Sequence, residues 1–123
     1  MGTGRIPLTV HGLLEYGIGV LSIVAPFLFG FNDQTGPTLV CVLLGAATLV
    51  MAVLTDAPTG VSRTLPLASH QVLDYVLVLV FIASPFIFGF SDRGAALAYF
   101  LAVGVGHLLV TVNTRFHRHE GER

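Results

Sequence analysis

The sequence predicts an all-α fold of four transmembrane helices, built as two helical hairpins related by a parallel repeat, with both termini cytoplasmic. Three observations carry this. Of 123 residues, 54% are hydrophobic and only 11% charged, against roughly a quarter charged in an average soluble domain. Four stretches run free of charge for about the length of a membrane span. The chain also overlays itself when Ile6 is set against Leu65, a shift of 59 residues.

Composition excludes several function classes first. Six arginines, no lysine and seven acids leave a net charge of -1, so no basic face exists to offset nucleic-acid phosphates. Hydrophobic content this high excludes a disordered chain. Cys41 is the single cysteine, which rules out an internal disulfide and a zinc-type cysteine pair.

The charge-free segments are 16–31, 37–54, 75–90 and 95–112. Crossing ~30 Å of hydrocarbon at 1.5 Å per residue takes roughly 17 to 25 residues. The second and fourth suffice outright. The first and third suffice once their first turns, carrying Glu15 and Asp74, are placed at the water interface. A soluble bundle would need a polar face on each helix, and none of the four has one. A cleaved signal peptide is a poor account of the first segment, since Glu15 interrupts it and it has a twin further along. One integral membrane domain over 1–123 is expected. Its parts are a first repeat at about 6–54, a loop at 55–69, a second repeat at about 65–112 and a polar tail at 113–123.

The repeat is carried by residues that shared apolar composition does not explain. His11 meets His70, Tyr16 meets Tyr75, Pro26 meets Pro85, Gly30 meets Gly89 and Asp33 meets Asp92. Each copy holds two spans, so both enter the membrane from the same side, unlike the inverted repeats of many transporters. Similarity is concentrated on spans one and three and the turns that follow them. Arg5, Arg63, Arg115, Arg118 and Arg123 lie on one side and Arg93 alone on the other. Positive charge stays cytoplasmic, which puts both termini and the middle loop there and the two short turns outside.

Within each repeat, Ala25-Pro26-Phe27-Leu28-Phe29-Gly30-Phe31 and Ser84-Pro85-Phe86-Ile87-Phe88-Gly89-Phe90 lead to Asp33 and Asp92. Proline removes a backbone donor and loosens the helix, and Gly30 and Gly89 suit C-terminal caps. Phe27 and Phe31, four apart, are expected on one face as an aromatic anchor, and Phe86 and Phe90 likewise. Asp33 and Asp92 suit N-caps for the spans that follow. The motif reads as a structural exit and re-entry rather than a binding site. It resembles the SPW-repeat family of small bacterial membrane proteins, over about residues 6–112, with Phe27 and Phe86 where that family has tryptophan. The resemblance implies an architecture and a bacterial inner membrane, and no activity.

The second constellation is His11, Glu15, Tyr16 with His70, Asp74, Tyr75. The i, i+4 spacing sets each histidine and acid on one face. If spans one and three pack across the pseudo-twofold, two imidazoles and two carboxylates converge, a set fit for a divalent metal or a proton-accepting cluster. The blander account is that each pair serves its own helix start, where acids are favoured by the dipole. His107 is the one ionisable group well inside a span; its repeat partner is Thr48, Thr111 one turn on offers it a hydrogen-bond partner, and packing or inter-helix hydrogen bonding accounts for it more simply than haem ligation. His117 and His119 give the tail a loose metal-binding capacity, though a solvated tail explains them as well.

Ala98, Ala102 and Gly106 form a small-residue stripe on span four, a feature that lets membrane helices approach closely. No P-loop, dinucleotide fingerprint or HExxH pattern is present, so catalysis has no support in the sequence. The expectation is a small non-catalytic membrane protein, acting as an accessory subunit or homo-oligomer in the bilayer, with no cofactor required. A metal- or haem-binding module using His11, Glu15, His70 and Asp74 is the alternative, and a small transporter or channel a weaker one.

Overall fold

Hydrophobic runs bounded by Pro, Gly and Asp dictate four helices, and the computed structural model, which describes residues 4–116, has four. They are α1 (Leu8–Leu28), α2 (Thr35–Leu54), α3 (Leu67–Ile87) and α4 (Gly94–Val112). Each is long and apolar enough to cross a membrane. No strand occurs among the described residues; two isolated backbone bridges are the only extended pairing. The hairpin pairs α1–α2 and α3–α4 pack most closely, and sparser α2–α3 and α1–α4 contacts close them into a ring. In that ring α1 and α3 face each other diagonally.

The duplication is kept in backbone detail. Ile6 N–H donates to the Asn113 carbonyl at 2.9 Å and Arg115 N–H to the Ile6 carbonyl at 3.0 Å. Fifty-nine residues on, Leu65 N–H donates to Leu54 and Asp56 N–H to Leu65, at 2.7 and 2.8 Å. The segment ahead of each odd helix is thereby tied to the end of an even one, which fixes all four helix ends at this face of the bundle.

At the opposite face both hairpins turn identically. Helix α1 runs two residues past Pro26 and α3 two past Pro85. Gly30 and Gly89 then take φ of 76° and 73°, the left-handed cap that glycine adopts without a Cβ clash. The chain folds back so that Phe31 N–H reaches the Pro26 carbonyl and Phe90 N–H that of Pro85, each at 2.8 Å. This corrects the expected aromatic face. Phe31 and Phe90 lie beyond the helix ends and are 2% and 3% exposed, whereas Phe27 and Phe86 point outward at 63% and 61%. Phe27 and Phe86 remain suited to a lipid interface, while Phe31 and Phe90 are core. The expected N-caps are corrected too. Helices α2 and α4 are preceded by Gln34 and Arg93, without a side-chain cap bond. The glycine turn needs a further turn before re-entry, leaving Asp33 and Asp92 exposed within it.

The core fills this half of the bundle with Phe31, Phe81, Phe90, Tyr99 and Phe100. Here the repeats diverge in volume. Phe81 and Phe100 of the second occupy the positions of Ser22 and Cys41 in the first. Tyr99 compensates, donating or accepting a 2.7 Å bond with Ser22 Oγ, as a buried phenol requires a partner. Where α1 meets α2 the backbones nearly touch: a Cβ on Gly45 would lie 2.7 Å from the Gly19 carbonyl oxygen.

Candidate metal centre

Near the face that carries the termini, the ring of helices encloses charge instead of phenylalanine. His11 and Glu15 on α1, and His70 and Asp74 on α3, are each at most 4% exposed. The sequence placed both acids at a water interface; instead they lie inside the bundle, Glu15 eight residues into α1. One turn separates histidine and acid on each helix, so both side chains project to the bundle axis, and the diagonal placement of α1 and α3 brings the two pairs together. The convergence that the sequence left conditional on spans one and three meeting is present: one ligand atom from each of the four lies within 4.8 Å of the others.

The contacts interleave. His11 Nε2 lies 3.1 Å from Asp74 Oδ2 and 3.5 Å from Glu15 Oε2. His70 Nε2 lies 2.9 Å from Glu15 Oε1 and 3.2 Å from Asp74 Oδ1. His107 joins them from α4, its Nε2 at 3.4 Å from Asp74 Oδ1 and 3.7 Å from Glu15 Oε2. Its polar contacts therefore run across helices, to α1 and α3, and not to Thr111. The Thr111 hydroxyl and both His107 ring nitrogens have no hydrogen-bond partner among the described residues.

Two further residues went unread in the sequence. His11 Nδ1 lies 2.9 Å from Thr114 Oγ1, and His70 Nδ1 bonds Thr55 Oγ1. Each threonine donates its single hydroxyl proton to a carbonyl one turn back, Thr114 to Val110 at 2.6 Å and Thr55 to Met51. Neither hydroxyl has a proton left for the histidine, so both accept, and Nδ1 carries the hydrogen in each ring. The Nε2 lone pair would then face carboxylate oxygens, acceptor against acceptor. Only positive charge at that spot, a second proton or a metal cation, resolves it. Thr55 and Thr114 are repeat equivalents, a signal that the sparse similarity of the second halves hides.

Among metals, the donors suit a first-row divalent ion. Imidazole and carboxylate together are its ligand types, and an Nδ1–H held by a second partner is how metal-bound histidines are oriented. His117 and His119 lie outside the described residues.

A groove of about 420 Å³ runs between α1 and α4 and ends on His11, Glu15 and His107. Its walls are otherwise almost all carbon, including Ile18, Leu21, Phe29 and Val103. Ala102 and Gly106 open it where α2 carries Leu43 and Ala47 at the equivalent positions. On the terminal side a space of about 10 Å³ touches His11, Glu15, His70 and Thr55, close to the volume of one water.

Comparison with known proteins gives one family. No curated protein and no solved structure matches the chain. The family model described as SPW repeat domain matches residues 9–114, which spans both hairpins and every residue of the centre. With four membrane-length helices, this is a multi-pass membrane protein, and the chain belongs to the SPW repeat domain family.

Proposed function

We propose that this protein is an inner-membrane module that binds one divalent metal ion at His11, Glu15, His70 and Asp74, near the cytoplasmic side of the bilayer. The observation that carries the reading is the pair of threonines that fix hydrogen on His11 Nδ1 and His70 Nδ1 and turn both Nε2 atoms onto carboxylates. Charge balance supports it. Two carboxylates neutralise a divalent cation and neutral imidazoles add nothing, so the loaded centre is uncharged, as burial in a membrane favours. Its orientation follows from the arginines: Arg5, Arg63 and Arg115 lie at the end of the bundle that carries the centre. It acts by binding rather than turnover. The test is metal content after gentle extraction from the native membrane. About one equivalent of metal in the wild type, absent from the His11→Ala/His70→Ala double variant with helix content intact, is the expected result. A metal-free wild type that takes up none on addition overturns it.

A second reading, assembly as a homo-oligomer or accessory subunit, is favoured by one observation. Ala98 and Ala102 face outward on α4, and a Cβ on Gly106 would meet nothing within 4 Å. Small residues on an outer helical face suit close packing against another membrane helix. Native mass spectrometry distinguishes the readings: an integral multiple of the chain, or added polypeptide mass, supports assembly, and a lone monomer counts against it.

A further inference from the structure

The four-residue centre inherits the twofold character of the repeat, and His107 breaks it. Its equivalent on α2 is Thr48, whose hydroxyl is already spent on the Leu44 carbonyl at 2.8 Å. The duplication therefore supplies an imidazole from α4 and nothing from α2. His107 is 8% exposed, and both ring nitrogens are buried without a hydrogen-bond partner among the described residues. Asp74 Oδ1 makes no hydrogen bond either, though two imidazole nitrogens face it, His70 Nε2 at 3.2 Å and His107 Nε2 at 3.4 Å. A polar group left unsatisfied at membrane depth is costly, and unsatisfied groups that face each other call for a partner between them. At 3.4 Å the His107–Asp74 contact is not a hydrogen bond. A cation between them satisfies both atoms at once.

We infer that His107 is the third imidazole of the metal centre, completing a three-nitrogen, two-carboxylate set that selects a first-row transition ion over magnesium and calcium. The inference rests on the proposed metal-binding function and adds to it the chemical class of the ion. Magnesium and calcium take oxygen ligands almost exclusively, whereas imidazole suits zinc, copper, iron and nickel. A third neutral nitrogen leaves the charge balance unchanged, so it tunes selectivity without adding to the burial cost of the ion. It also makes the centre five-coordinate and one-sided, with α4 and its groove on the side of the extra ligand.

The test is Co²⁺ titration of the full-length protein in detergent, followed by visible absorption, with magnesium in large excess. His117→Ala and His119→Ala are introduced throughout, so that the tail contributes no signal. The wild-type centre is expected to hold Co²⁺ against magnesium with the weak visible bands of five-coordination. His107→Leu is expected to lose affinity by at least about 10-fold and to shift to the intense bands of a four-coordinate ion. His107→Gln, which keeps a polar group but no imidazole, is expected to lose affinity as well. His107→Glu is expected to retain five donors while letting magnesium or manganese compete. Wild-type affinity in both the Leu and Gln variants overturns the inference and leaves the four-residue centre standing. Affinity lost in the Leu variant but restored in the Gln variant also overturns it, because a polar filler would then suffice. A wild-type protein that takes up no Co²⁺ overturns the metal reading itself, and the role of His107 with it.

Discussion

The Thr55 hydroxyl accepts a hydrogen bond from His70 Nδ1, and 59 residues away Thr114 does the same for His11. The two threonines follow the ends of α2 and α4, so each even helix orients a histidine of an odd one. Loss of such an orienting partner typically weakens metal binding by roughly 10- to 100-fold. Thr55→Val and Thr114→Val are each expected to fall in that range, while Thr→Ser at either site keeps the acceptor and most of the affinity. Competition titration with a zinc chelator measures this. A valine variant at wild-type affinity would show that the hydroxyl does not orient its ring.

Metal binding should also appear as stability, because a ligand that binds only the folded state stabilises it by RT ln(1 + [L]/Kd), about 2.7 kcal/mol at a hundredfold excess over Kd. Added Zn²⁺ is therefore expected to raise the thermal midpoint of the wild type, and a strong chelator to lower it. Glu15→Gln/Asp74→Asn removes both carboxylates and should show no response to either reagent. Midpoints from circular dichroism in detergent decide it; a double variant that still responds would place the binding site elsewhere, the tail histidines being the first alternative.

A packing prediction concerns the α1–α2 contact. A Cβ on Gly45 would sit 2.7 Å from the Gly19 carbonyl oxygen and 2.9 Å from the Ser22 Cβ, and backbone gives way less readily than a flexible side chain. Gly45→Ala is expected to cost about 1–3 kcal/mol, the usual toll of overpacking. Gly36→Ala, where nothing lies within 4 Å, is the control and should be neutral or slightly stabilising. Equal midpoints for the two variants would mean that the hairpin relaxes freely at Gly45.

The spans were legible because length and apolarity are summed properties that survive local error. The convergence of His11, Glu15, His70 and Asp74 was legible as a possibility, since identical spacing in two copies implies equivalent faces. What hid the rest was the choice of reference. Set beside its repeat partner Thr48, His107 looks isolated. It lies about 8 Å from the end of α4 at Val112, and Glu15 about 10 Å from the start of α1, at 1.5 Å per residue; antiparallel helices place these two at one level. Asp33 and Asp92 misled for a different reason. Cap preference is a local signal, and here the left-handed turn at Gly30 and Gly89 moves the next helix start past both acids. Phe27 and Phe31 share a face only if the helix continues, and that same turn ends it.

The turn itself supports the last prediction. Gly30 and Gly89 hold φ of 76° and 73°, and a side chain there has open space around it, so any penalty is conformational rather than steric contact with neighbours. For an ordinary residue the left-handed region costs roughly 1–2 kcal/mol, and asparagine tolerates it better. Gly30→Ala and Gly89→Ala are each expected to lower stability by about that amount, and Gly30→Asn by less. The consequence reaches the core, because the turn is what returns Phe31 and Phe90 to positions 2% and 3% exposed. Truncating either ring should therefore cost more than the glycine change, about 3–5 kcal/mol for Phe31→Ala or Phe90→Ala, whereas Phe27→Ala and Phe86→Ala, whose rings point outward, should cost far less. Thermal midpoints across the seven variants test the ordering. A Phe27 variant as damaged as the Phe31 variant would show that the outward ring, and not the folded-back one, holds the hairpin.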